Sequence, residues 1–307
     1  MSHPELIIYV NRHSGLANRV RALIGYRALS LCCNTPFAFY WGRTPACDAE
    51  FDELFVDPPY RHIKNRAQLK SLQNSCQVFE KSDWPYDIWY QHARGSISWE
   101  IFAAAASMAA NEIIARDSIL DIVNKFSRIY SLSKAAGFHI RRTDNIAEYK
   151  KWNSSSPGFD INRISNFNKF YTEIIKKTST QRFFLSTDSP LVEMLFRIRF
   201  RRNMISYGHK VGFLPFFTRL LVTFKIAHRR RRSTNASVAL IDLLLLGKCC
   251  EIFGTYYSSY SRLAAILGKV PYFEVQGDRI INDIDLARSS CLPLINKSRD
   301  EKKSELR

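Results

Sequence analysis

The sequence predicts an α/β fold made of two α/β layers, each built on a parallel sheet. Three observations carry this expectation. Short apolar, β-branched runs alternate with stretches of helical periodicity along the chain. The first strand-like run, a glycine turn, a helix and a second run form one strand–helix–strand unit. In the second half, successive apolar runs end in clusters of arginine, threonine, serine and aspartate, and the carboxyl ends of strands are where open α/β sheets bind ligands.

Taken in order, residues 5–11 read as a first strand, apolar and β-branched, entering a turn. Residues 15–33 read as a helix. Leu16, Val20, Leu23, Ile24, Ala28 and Leu31 recur at helical spacing, with Arg19, Arg21 and Arg27 on other faces. Asn34-Thr35-Pro36 turns the chain into a second strand at 37–41. A short strand at 77–79 and helices at 99–115 and 119–130 complete the first set. The second set begins near residue 135, with strands at 136–140, 182–186 and 251–254. Helices are expected at 164–177, from Leu191, at 238–246 and at 260–267. The boundary falls at 131–135. It divides an N-terminal α/β domain over 1–134 from a C-terminal one over 135–295, with a polar tail over 296–307.

Composition bounds the function. A chain of 307 residues that is 46% hydrophobic can bury a large core. Residues 5–10 are too short for a signal core, and the longest apolar run, 236–246, is interrupted by Asp242. The expectation is a soluble cytoplasmic protein. The seven cysteines lack C-x-x-C spacing, which argues against zinc and for reduced thiols. The net charge of +17 is concentrated: residues 194–241 contain eleven Lys or Arg and no Asp or Glu, and removing those eleven leaves +6 for the rest.

Four clusters are candidates for chemistry. In His139-Ile140-Arg141-Arg142-Thr143-Asp144, two guanidiniums follow a buried strand, and their planar forks match phosphate oxygens bidentately; the alternative is a surface ion pair with Asp144. Ser186-Thr187-Asp188-Ser189-Pro190 offers a carboxylate and hydroxyls at a strand end, or simply caps the next helix. Gly254-Thr255-Tyr256-Tyr257-Ser258-Ser259 opens a helix whose N–H groups suit a phosphate, or serves only as its cap. Asp242 needs a partner within its apolar helix, functional or structural. In the first half, Ser14-Gly15-Leu16-Ala17-Asn18-Arg19 is either a ligand-admitting turn or a tight connection.

The second-half clusters occur in the order of three motifs of the α1,6-fucosyltransferase superfamily, and the third, over 242–262, aligns without a gap. Gly15-Leu16-Ala17-Asn18-Arg19 resembles the G-[LI]-[GA]-N-R turn of its bacterial members, and residues 41–55, with Trp41, Cys47, Phe51, Leu54 and Phe55, are similar to the segment that follows. The resemblance implies a GT-B fold, in which two Rossmann-like domains face each other across a cleft. It implies a GDP-fucose or similar nucleotide-sugar donor and a glycan or lipid-linked acceptor. Transfer would proceed by inversion, with no metal and no further cofactor. By the same resemblance Arg141 and Arg142 hold the diphosphate. Asp188 is an acidic donor-site position, Asp242 and Ser258 are active-site positions, and His139, Asp144, Thr187, Thr255 and Ser259 belong to the same donor-binding motifs. Gly15, Leu16, Asn18 and Arg19 face the cleft from the N-terminal side. The candidate catalytic residues are Arg141, Glu148, Asp188 and Asp242. Two departures stand out. Asp188 is followed by Ser189 where a second acid is common, and the family's candidate base falls on Tyr149, one residue after Glu148.

Residues 197–236 read as a basic insertion between the second and third motifs. Phe213, Leu214, Phe216, Phe217, Leu220, Leu221 and Phe224 form a helical apolar face with arginines at its ends, including Arg229 to Arg232. Contact with an anionic membrane through 197–232 is one reading, and packing on the C-terminal domain is the other. Nucleic acid is the weaker expectation, because it leaves Arg141-Arg142 and the Asp242 block without a role.

Overall fold

The computed structural model describes residues 6–11, 14–75, 78–82, 88, 92, 95–141, 164–207 and 235–282. The first half forms a four-stranded, all-parallel sheet from β1 (Leu6–Val10), β2 (Phe37–Tyr40), β3 (Arg61–Ile63) and β4 (Val78–Ser82), in the order β3-β2-β1-β4. Between β1 and β2 runs α1 (Leu16–Cys33), capped at its carboxyl end by Asn34 in the left-handed region. Nearly every face of α1 is buried, so it is an interior helix and not a surface one. The short α2 (Phe51–Leu54) and α3 (Arg66–Ser75) flank β3. They are followed by α4 (Trp99–Asn111), which packs along α1, and α5 (Asp117–Tyr130).

The second half builds a six-stranded sheet from β5 (Ala136–Ile140), β6 (Phe183–Thr187), β7 (Met204–Ile205), β8 (Glu251–Thr255), β9 (Tyr272–Gln276) and β10 (Arg279–Asn282). The order is β10-β9-β8-β5-β6-β7, parallel except for β10. Its helices are α6 (Phe167–Thr178), α7 (Pro190–Phe200), α8 (Ala236–Leu246) and α9 (Ser259–Gly268). From β5 the chain winds outward through β6 and β7, then returns to the other side of β5 for β8 and β9. The strand order therefore reverses between β5 and β8, and in open α/β sheets the carboxyl ends at such a reversal are where a ligand crevice forms.

The strands and helices read from the sequence are present, with ends displaced by a few residues. Helix α4 stops at Asn111, four residues before the expected end. Three strands that the sequence reading left as connection, β3, β9 and β10, and the two-residue β7 complete the sheets. The two halves share one continuous apolar core. Helices α8 and α9 of the second half pack against α1, α4 and α5 of the first. Glycine makes part of this packing possible. A Cβ on Gly268 would lie 2.1 Å from the Gly247 carbonyl oxygen, so the ends of α8 and α9 approach backbone to backbone. Cys32, Cys33, Cys47, Cys249 and Cys250 are free thiols. Among the described residues no helix is long and apolar enough to cross a membrane.

Candidate functional site

The crevice at the β5–β8 reversal gathers all three second-half motifs. The Thr255 hydroxyl, at the end of β8, donates to the His139 carbonyl at 2.9 Å and accepts the backbone N–H of Arg141 at 3.0 Å. On the other flank the Thr187 hydroxyl, at the end of β6, donates to the Ile140 carbonyl at 2.6 Å and accepts the Ser189 N–H. One threonine from each neighbouring strand thus holds the last turn of β5. These contacts satisfy backbone groups that leave the ladder where the chain turns off the sheet, and they fix the backbone from which the Arg141 side chain departs. Arg141 is half-buried, at the exit of a fully buried strand.

Beneath this rim lies a second, buried layer. His139 is 5% exposed; its ring stacks on Tyr260 with centroids 5.0 Å apart, and Nδ1 lies 3.4 Å from the Ser258 hydroxyl. Ser258 occupies the cap position of α9 without capping it, because its side chain turns inward to His139. At the second motif, by contrast, capping is what Ser189 does: its hydroxyl accepts the Val192 N–H, and Pro190 is the first helical residue. Capping, which the sequence allowed at both helix starts, is made by Ser189 and not by Ser258.

Asp242 finds its partners across the crevice. Its carboxylate accepts a hydrogen bond from the Ser186 hydroxyl and lies 3.2 Å from the Tyr260 hydroxyl, whose single proton it shares with a backbone carbonyl. That carbonyl belongs to Ala239, 2.7 Å from the Tyr260 hydroxyl. This network joins β6, α8 and α9, so Asp242 is held in place by both neighbouring motifs. The Asp242 charge, after burial, also holds the nearby Tyr207 phenol above its ordinary value. Asp188 and Ser259 are half-buried on the rim of the same crevice. Arg142, Asp144 and Glu148 lie outside the described residues, as do positions 208–234 of the basic segment. Among the described residues no group of three His, Cys, Asp or Glu side chains is placed to hold a metal ion.

Sequence reading did not single out Ser165, Tyr260 or the Arg262–Glu274 pair. Ser165 donates to the Val275 carbonyl and accepts the Tyr256 N–H at 2.8 Å, tying the β8 turn to β9. Arg262 donates to Glu274 at 2.6 Å, with the two side chains 2% and 0% exposed. Burial alone would lower the guanidinium's pKa; the carboxylate outweighs it, and the pKa is raised. Tyr272 also reaches Glu274, at 3.3 Å, and burial followed by the Glu274 charge pushes its phenol pKa up. The pair locks α9 to β9 directly behind Gly254, where a Cβ would lie 2.4 Å from both the Ser261 and Tyr272 hydroxyls. The signal was present in the sequence, since Arg262 ends the third motif, but its partner could not be read there.

The first-half candidates are placed differently. Arg19 is fully buried. Nε donates to the Ser14 carbonyl at 2.9 Å, Nη1 to the Gly42 carbonyl at 2.8 Å and Nη2 to the Thr44 hydroxyl at 2.5 Å, and the guanidinium lies over Trp41. Asn11 grips Gly42 through both its amide groups. Gly15 precedes the first turn of α1 in extended conformation, and Asn18 is half-buried on that helix. Leu16 lines a cavity of about 60 Å³ together with Pro45, Ala46, Cys47, Asp48, Ala236 and Ala239. That space lies between the halves and is too small for a nucleotide-sugar. Here Asp48 accepts the Ala236 N–H at 2.9 Å, one contact by which the first half meets the helix that carries Asp242.

No family model matches the sequence, and no curated protein matches it. Solved structures do match its fold. A fucosyltransferase NodZ from Bradyrhizobium aligns with a TM-score of 0.53 at 13% identity, over 90% of this chain and 97% of that one. A NodZ alpha-1,6-fucosyltransferase co-crystallized with GDP gives the same figures, 0.53, 13%, 90% and 97%. An Arabidopsis thaliana FUT1 variant in complex with GDP aligns at 0.50 and 11% identity, over 89% of this chain and 70% of that one. POFUT1 in its apo form aligns at 0.51 and 8%, over 90% and 99%. The fold of this chain is similar to that of the NodZ, FUT1 and POFUT1 fucosyltransferases.

Proposed function

We propose that this chain is an inverting glycosyltransferase that moves fucose from GDP-fucose to an acceptor hydroxyl, without a metal. The reading rests on one observation above the others: three sequence clusters more than a hundred residues apart at their extremes meet in one hydrogen-bonded crevice where the strand order reverses. The NodZ structures that share the fold include one with GDP and one soaked with GDP-fucose, which supports the choice of donor. In this reading the chain has the GT-B arrangement, with a donor-binding domain over 135–295 facing an acceptor-side domain over 1–134.

The mechanism follows from where charge develops. The acceptor oxygen bonds to the anomeric carbon as the bond from that carbon to the diphosphate oxygen breaks. The electron pair leaves with the diphosphate, and the acceptor's proton passes to a carboxylate. Arg141, aimed from the clamped end of β5, offsets the charge of the departing diphosphate, with Arg142 beside it in sequence. Asp188 lies on the rim and Glu148 follows the first motif, so these are the candidate proton acceptors. Asp242, already accepting from Ser186 and 3.2 Å from the Tyr260 hydroxyl, acts by positioning.

A thermal-shift series with GDP, UDP, GDP-fucose and free fucose tests the donor assignment. GDP and GDP-fucose are expected to raise the unfolding temperature and UDP and fucose to leave it unchanged; a ligand at a hundred times its Kd stabilises by about 2.7 kcal/mol. A response to UDP alone overturns the donor, and no response to any nucleotide overturns the enzyme reading.

A further inference from the structure

We infer that one face of α7 is a docking surface for an anionic lipid membrane. Leu191, Leu195 and Ile198 stand at helical positions i, i+4 and i+7 and are 51%, 48% and 64% exposed, so they form one apolar stripe in solvent. The opposite face of the same helix is built for the core: Val192, Phe196 and Phe200 are buried against the second sheet. The outward stripe is therefore additional to what folding needs of α7. Isolated exposed apolar residues are ordinary; three aligned on one helix face are not.

Charge selects the partner. Residues 190–207 hold Arg197, Arg199, Arg201 and Arg202 against Glu193 alone, all four arginines being exposed. Arg197 pairs with Glu193 at 2.7 Å and Arg199 donates to the Tyr171 hydroxyl at 3.1 Å, so both guanidiniums are held at the surface of this region. Arg201 and Arg202 follow in the 3-10 turn that ends the helix, and both are exposed. Aliphatic residues backed by arginines suit the boundary between anionic headgroups and acyl chains. Single-stranded nucleic acid would instead call for exposed aromatic rings on which bases stack, and this face has none. The stripe begins three residues after Asp188, and α7 is 11 residues long, about 16 Å, so a membrane bound along it would lie within one helix length of the β6 end of the crevice. Docking is independent of the donor reading. If both hold, the acceptor hydroxyl is presented at a lipid surface.

The full chain should be sedimented with vesicles of phosphatidylcholine alone and with about one-third phosphatidylglycerol, in wild type, in L191S/L195S/I198S and in R201Q/R202Q. The stripe residues are exposed, and circular dichroism melting checks that the variants stay folded. The expected result is binding to the anionic vesicles only, reduced at least tenfold by the triple substitution, reduced roughly fivefold per arginine removed, and weakened by salt. The proposal is overturned by wild type failing to bind the anionic vesicles, or by the triple variant binding as wild type does. It is equally overturned if sedimentation equilibrium shows a dimer that the triple substitution dissolves, or if the chain prefers a single-stranded RNA probe to the vesicles.

Discussion

The two sheets of this protein begin with the same order, with the fourth strand returning beside the first, yet the polar groups at their carboxyl edges are engaged differently. At the edge of the first sheet the polar groups face one another. Asn11 and Arg19 both close on the Gly42 carbonyl, and Arg19 donates as well to the Ser14 carbonyl and the Thr44 hydroxyl. At the edge of the second sheet Thr187 and Thr255 hold backbone, Asp242 accepts from Ser186, and Arg141 and Asp188 are half-buried. Three arginines make the difference concrete. Arg19 binds carbonyls, Arg262 binds Glu274, and Arg141 leaves the end of a buried strand from a backbone clamped by Thr255. A shared topology supplies the same edge twice, and the side chains that arrive there differ.

The largest expected effect breaks the comparison outright. Arg141→Ala should lower fucosyl transfer at least a hundredfold, measured with radiolabelled GDP-fucose, while the melting curve stays unchanged. Normal turnover by the folded variant would remove Arg141 from the proposed transfer. Next, Glu274→Gln should cost about 3–5 kcal/mol in urea unfolding, because it leaves the Arg262 charge buried without its carboxylate; a loss under 1 kcal/mol contradicts that view of the pair. Arg19→Met should cost about 2–3 kcal/mol, since the Ser14 carbonyl loses the guanidinium and the Gly42 carbonyl keeps only its Asn11 donor. Its GDP affinity by calorimetry should match wild type, and a tenfold loss there would place Arg19 in the donor site after all. The smallest effect, about 1 kcal/mol, is expected for Ser189→Ala, which removes only a cap; unchanged GDP binding would separate the cap from Thr187 beside it.

Much of the fold was legible because its signals are local. The interior helix α1, the buried strand β5 and the Ser189-Pro190 helix start are each specified by residues within a few positions of one another. Strand β9 was missed for the opposite reason. Tyr272–Gln276 carries Glu274 at a buried position, and a carboxylate there reads as solvent until Arg262 is known to face it. Polar α3 and three-residue β3 hold too few apolar positions to set a period.

By itself the sequence determined which strands end in arginine, aspartate and hydroxyl groups, since periodicity and turn chemistry act over a few residues. Tertiary structure alone decided which of those groups were already occupied. Ser258 turning to His139, Asp242 meeting Ser186 and Arg19 closing on Gly42 all depend on oxygen and nitrogen atoms brought within about 3.5 Å from distant positions. A hydrogen bond's partner is fixed by distance in space, and distance along the chain does not encode it.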